Sequence, residues 1–173
     1  RDTGILEKTP SIVAFTITTD NDNLAKRLEP DAPPPSDRLQ AVETLTHKNI
    51  PVCVRIDPII PTLNDNPEQL IKTLANLGIK HITSSTYKVK QHNWKQFSQT
   101  FPTTAKQLQP LYFKNGERIN GYRYLPRELR YNLMNRIRKQ TQQAGITFGT
   151  CREGFPKLNT ATCDGADYCQ LRH

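Results

Sequence analysis

The sequence predicts an α/β protein: a partial (β/α) barrel of parallel strands, followed by a helical segment and a cysteine-containing tail. Three observations carry this. Short apolar runs alternate with segments of helical period through residue 87, and the runs end in polar residues. The 173 residues fall short of the roughly 200 or more that a closed eight-unit barrel takes, leaving room for half to two-thirds of one. In such folds the working groups sit at the carboxyl ends of the strands.

The first strand spans residues 11–19 and closes on Thr16, Thr18, Thr19 and Asp20. Pro30, Pro33, Pro34 and Pro35 then exclude helix, because each lacks an N–H and holds its predecessor extended. Ser36 is expected to cap the helix that follows, whose inner stripe is Leu39, Val42 and Leu45. Asn49-Ile50-Pro51 ends it, and residues 52–56 form a buried strand flanked at its last residue by Arg55 and Asp57. Charge at the end of a buried strand needs a reason, since an unpaired ion is costly to desolvate. Asp57 is expected to orient Arg55 or to cap a turn.

Pro67 opens the next helix, Leu70, Leu74 and Leu77 line it, and Gly78 closes it before a third strand over residues 80–87. The predicted rim therefore collects Thr16, Thr18, Arg55, Asp57, Ser84 and Ser85, with Glu29 beside the proline loop. Residues 88–108 read as an amphipathic helix or helix pair with Trp94, Phe97 and Phe101 inward. Residues 109–124 read as an irregular lid, 126–144 as a helix with Leu129, Leu133 and Ile137 inward, and 146–150 as a final strand. The chain divides into βα units over 1–87, a basic helical extension over 88–145, and a strand with the cysteine tail over 146–173.

Net charge is +8, from 24 Lys and Arg against 16 Asp and Glu, and residues 114–139 hold most of the excess. Arg123, Arg127, Arg130, Arg138 and Lys139 are candidate nucleic-acid contacts there, with tyrosines and Phe113 interleaved; cations neutralise phosphates while rings stack on bases. The same charges also suit the solvated face of a helix. Cys151, Cys163 and Cys169 form a candidate iron–sulfur or zinc site among glycines, with His173 a further donor, although their spacing matches no zinc ribbon. Free thiols with one local disulfide are the alternative. No apolar run reaches the length of a membrane span and no signal peptide is visible, so the cytoplasm is the expected compartment and no membrane partner is expected.

Thr16-Ile17-Thr18-Thr19, then EPDAPPPSDRL from Glu29, then VRIDPIIP from Val54 resemble the radical S-adenosylmethionine proteins related to spore photoproduct lyase, a DNA-repair lyase. CREGF at Cys151 and TCDGADYC at Thr162 extend the likeness more weakly. The resemblance implies a partial barrel that binds S-adenosylmethionine beside a [4Fe-4S] cluster, with Thr16 and Thr18 near the ribose or methionyl end, Arg55 at the carboxylate, and Glu29, Asp57 and Ser84 around them. It implies hydrogen abstraction by a 5′-deoxyadenosyl radical, acting on nucleic acid. The family's CxxxCxxC cluster motif is absent, since the cysteines stand at 53, 151, 163 and 169. The chain thus reads as a carboxyl-terminal portion that would not perform radical chemistry alone, with a missing amino-terminal half or partner subunit covering the open sheet edge. The alternative is a non-catalytic, basic nucleic-acid-binding module that retains half of the barrel.

Overall fold

In the computed structural model, which describes residues 2–168, the strands are β1 (Val13–Thr16), β2 (Val52–Ile59), β3 (His81–Thr86), β4 (Glu117–Ile119), β5 (Tyr122–Tyr124) and β6 (Thr147–Thr150). Four of them form one parallel sheet in the order β1-β2-β3-β6, and β4 and β5 form an antiparallel hairpin. The helices are α1 (Thr3–Leu6), α2 (Asp22–Leu28), α3 (Pro35–His47), α4 (Glu68–Asn76), α5 (Gln91–Thr100), α6 (Pro102–Phe113) and α7 (Arg127–Gln143). Among the described residues no helix is long and apolar enough to cross a membrane.

Register divides the sheet into two unlike faces, because alternate residues of a strand point oppositely. Ile17, Val52, Val54, Ile56, Ile82 and Phe148 join one buried cluster with Val42 and Leu45 of α3, Leu70, Ile71 and Leu74 of α4, and Leu133 and Ile137 of α7. The other face is polar. Thr16 pairs with Arg55, Arg55 with Thr83, and Thr83 with Gly149; nearer the amino ends, Ala14 pairs with Cys53 and His81 with Thr147. The helices pack where apolar area can be removed from water and leave the opposite face to other groups.

Several local expectations change. Ser36 does not cap α3; Pro35 occupies the first helical turn and no side chain caps the end, since proline supplies a preset φ where no N–H partner exists. A short helix, α2, precedes the proline loop, with Asn21 accepting from Leu24 N at 2.9 Å. Residues 109–124 are the last turn of α6 and a hairpin, not an irregular lid. Gly116 allows that change of direction, because a Cβ there would lie 2.2 Å from the Tyr124 carbonyl oxygen.

A buried ion system joins these parts. Arg130 of α7 and the Glu153 side chain are both fully buried and 3.0 Å apart. Glu153 Oε1 also accepts from Thr86 N at 2.7 Å, Thr86 Oγ1 at 2.9 Å and Lys88 Nζ at 3.1 Å. Arg130 donates to the carbonyls of Leu125 and Glu153 and to the Glu117 carboxylate, with its guanidinium between the rings of Tyr124 and Phe155, about 5 Å from each. Two cations meet two carboxylates, so the assembly is neutral and its donors are used. Removing one member leaves a buried charge uncompensated. Glu153→Ala should therefore destabilise the chain by about 3–5 kcal/mol, read as a lowered urea midpoint at unchanged slope.

Candidate functional site

The carboxyl ends of β2 and β3 and the loop after β6 enclose a cavity of about 470 Å³ that Arg55, Asp57, Ser85, Lys88, Cys151 and Arg152 line. Arg55, Ser85 and Lys88 are held from behind. Arg55 Nη2 donates to Asp57 Oδ2 at 3.0 Å, and Ser85 Oγ donates to Asp57 Oδ1 at 2.6 Å. Lys88 Nζ donates to Ser85 Oγ at 2.8 Å and to buried Glu153 at 3.1 Å. Arg152 adopts the left-handed region (φ 57); the sharp turn lets Glu153 run inward while Cys151 and Arg152 face the cavity. Burial works against the Arg55 charge, but hydrogen bonds and charge from Asp57 and Cys151 offset it, so its pKa stands above the ordinary arginine value. Burial beside the cavity pushes the Tyr87 phenol up to about 12.

Three cations and one carboxylate thus line an open cavity at the strand ends. Such a place can take an anionic group, and a guanidinium pinned on one side still has N–H groups to present. Asp57 takes the orienting role toward Arg55.

The remaining predicted rim residues separate. Thr18 is buried, and its hydroxyl donates to Glu29 Oε2 at 3.2 Å and the Asp57 carbonyl at 3.3 Å. Arg38 spans the same carboxylate at 3.1 Å and the Thr16 carbonyl at 2.8 Å, and donates to the Pro33 carbonyl at 2.8 Å. Its Nη2 is buried without a partner among the described residues. Thr16 lies in the same row as Arg55 on the polar face. Ser84 does not reach the rim: its hydroxyl is buried against the apolar side and donates to the Ile56 carbonyl at 2.7 Å, because alternation hands the rim position to Ser85.

The tail folds onto the amino-end half of the polar face. Thr83 Oγ1 donates to the Cys163 carbonyl at 2.5 Å, and Cys53 Sγ to the Asp164 carbonyl at 3.9 Å. Gly149 admits this chain, since a Cβ there would come 2.8 Å from Cys163 Cα. Cys151 stands at the cavity while exposed Cys163 lies over β6, and Cys169 falls outside the described residues. Among the described residues no three His, Cys, Asp or Glu side chains gather to hold a metal ion.

Of the candidate nucleic-acid contacts, Arg130 is corrected outright. It is 0% exposed and committed to Glu117 and Glu153, so it offers nothing to a phosphate. Arg127 lies over the Phe155 ring at 5.1 Å, Arg138 is half-buried, Lys139 is exposed, and Arg123 sits on the separate hairpin.

Sequence reasoning missed Lys88, Arg152 and Glu153 as site-building residues, and it gave Asn64 only the start of a turn. Buried Asn64 donates to the carbonyls of Thr18 and Pro58 and accepts from Ile60 N at 2.7 Å, pinning the loop after β2 to the end of β1. The readable signal was position: Lys88 follows the third strand, and Arg152 and Glu153 the last, where rim groups belong. Comparison with protein-family models, curated proteins and solved structures finds no match to this chain.

His81, fully buried at the foot of the polar face, bonds Thr83 and Thr147 through its ring nitrogens. Burial lowers its pKa below 6.5, and Asp167 and Asp164 raise it only in part. The unfolded chain therefore takes up the proton first. His81's contribution to stability is whole above pH 6.5 and is lost as pH falls from there through its lower folded value. Urea midpoints taken between about pH 8 and pH 5 should fall in acid, and His81→Gln should flatten that fall. An equally steep acid limb in the variant would assign the loss to other groups.

Proposed function

We propose that the polar rim binds the carboxylate end of S-adenosylmethionine, with Arg55 as principal contact and Lys88 and Arg152 beside it. The single observation that carries this is the cation-lined cavity at the carboxyl ends of parallel strands, where Asp57 holds Arg55 and Ser85 and Glu153 hold Lys88. A cavity of this size lies within the roughly 300–1,000 Å³ of small-molecule sites. Thr18, Glu29 and the unpartnered Nη2 of Arg38 supply further polar groups at the end of β1. In a complete radical enzyme the bound cofactor would supply hydrogen abstraction from a substrate. This chain's part would be to bind and orient it and to exclude water.

The described cysteines do not fit a [4Fe-4S] cluster, because they are not gathered. Cluster ligands would come from elements that pair beyond β1. The two sheet edges support that reading. On β6, the outward Phe148 N and Thr150 N are taken by Thr160 Oγ1 and Asn159 Oδ1, both at 2.8 Å, which closes that edge. On β1, the N–H groups of Val13 and Ile17 turn to β2, so Ala14 and Thr16 turn outward, and Ala14 is exposed. A further strand, from a longer chain or a partner subunit, would pair there.

Isothermal titration calorimetry with S-adenosylmethionine and with its methyl ester tests the assignment. The ester, lacking the charge, should bind about tenfold or more weakly, and Arg55→Ala should weaken the free acid by a similar factor and leave the ester unchanged. Equal binding of acid and ester would sink the proposal.

A further inference from the structure

The β4–β5 hairpin carries an arrangement that folding alone disfavours. Arg118 and Arg123 are direct cross-strand partners. Like charges in that relation destabilise a two-stranded ribbon, which has little stability of its own. Neither is ion-paired among the described residues. The nearest carboxylate on the hairpin, Glu117, is committed to Arg130.

The hairpin is also prevented from spreading its charges apart. Val89 and Arg123 exchange two backbone hydrogen bonds of 2.9 Å, tying the hairpin to the chain leaving β3. Asn120 (φ 48) and Gly121 (φ 79) form its turn with both residues left-handed, the conformation that favours Asn-Gly. Two arginines are thus held rigidly side by side.

They face a cavity of about 630 Å³ whose lining includes Lys90, His92, Trp94 and Phe113 and no Asp or Glu. Trp94 and Phe113 have ring centroids 5.2 Å apart, and the Arg123 guanidinium lies 4.7 Å over Phe113, which is 42% exposed. Flat groups therefore adjoin a concentration of positive charge. Rings and guanidinium planes stack on nucleobases, and unpaired cations receive phosphates.

We propose that this cavity binds a nucleotide unit, with the base against Trp94, Phe113 and Arg123 and the phosphate on Arg118, Arg123 and Lys90. The site is distinct from the rim cavity and does not rest on the reading of that cavity. It takes Arg123 and Phe113 from the basic run that composition suggested for nucleic acid and leaves out the α7 cations Arg127, Arg130, Arg138 and Lys139. A free mononucleotide and a nucleotide within an unpaired strand share this chemistry.

Trp94 is the chain's sole tryptophan, so its fluorescence reports the site directly. Titrations with adenosine monophosphate, an oligothymidylate of about ten residues and inorganic phosphate separate the sources. A nucleotide probe should change the Trp94 emission and phosphate alone should not. An oligonucleotide that binds more tightly than its number of units explains identifies an unpaired strand; equal affinity per unit identifies the free nucleotide. Arg118→Gln should weaken binding about tenfold and, for the strand, flatten the slope of log affinity against log salt by about 0.7. It should leave the thermal midpoint unchanged or raised, because the like-charge pair is gone. Unchanged emission with both nucleotide probes overturns the proposal. So does competition by phosphate or by polyglutamate as strong as by nucleotide, or a lowered thermal midpoint of Arg118→Gln with binding intact.

Discussion

The buried meeting of Arg130 with Glu153 is the constraint on which the working surfaces depend. Two ions taken wholly out of water are tolerable only when their hydrogen-bonding groups find partners, and here those partners come from four places. Thr86 ends β3, Lys88 follows it, Leu125 and Glu117 belong to the hairpin region, and Glu153 follows β6. The saturated geometry specifies how sheet, α7 and hairpin meet. Lys88 is thereby anchored at the rim by Glu153 and Ser85. The hairpin stands as a wall between two cavities, with Tyr122 lining the rim side and Lys90, 4.2 Å over the Tyr122 ring, lining the other.

The second organising fact is the inequality of the sheet faces. Four parallel strands usually hide both faces beneath helices and read as continuous apolar runs. Here one face carries Arg55, Asp57, His81, Thr83 and Ser85, and the helices take the other. The tail satisfies the foot of the polar face through backbone carbonyls, and the ion pairs of the rim satisfy its top. Among the described residues, what remains open is the stretch nearest β1 and the cavity at the strand ends.

Much of this was legible. Proline placement, apolar stripes and the glycine after α4 located β2, β3, α3, α4, α7 and β6 closely, because these signals act over a few residues. The charged end of β2 pointed to a site, and Arg55 and Asp57 do face a cavity together. Other readings failed where partners are distant in sequence. Arg130 looked like one cation in a basic run; its burial depends on Glu117 and Glu153, 13 and 23 residues away. Ser84 and Ser85 were inseparable by composition, and register alone sends one inward. The hairpin was hidden because its strands are three residues each, too short for a period-two signal.

By itself, the sequence determined the α/β class, the order of most elements and the clustering of polar residues at strand ends. Those properties follow from local propensity and the spacing of apolar side chains. Only the tertiary structure decided which polar residues face outward, which cations are spent on carboxylates and which, among the described residues, have no carboxylate partner. Lys88 and Arg118 differ little as sequence symbols. One is pinned by a buried glutamate, and the other faces a second arginine with no carboxylate lining its cavity. Electrostatic roles are set by neighbours through space, and the fold supplies those neighbours.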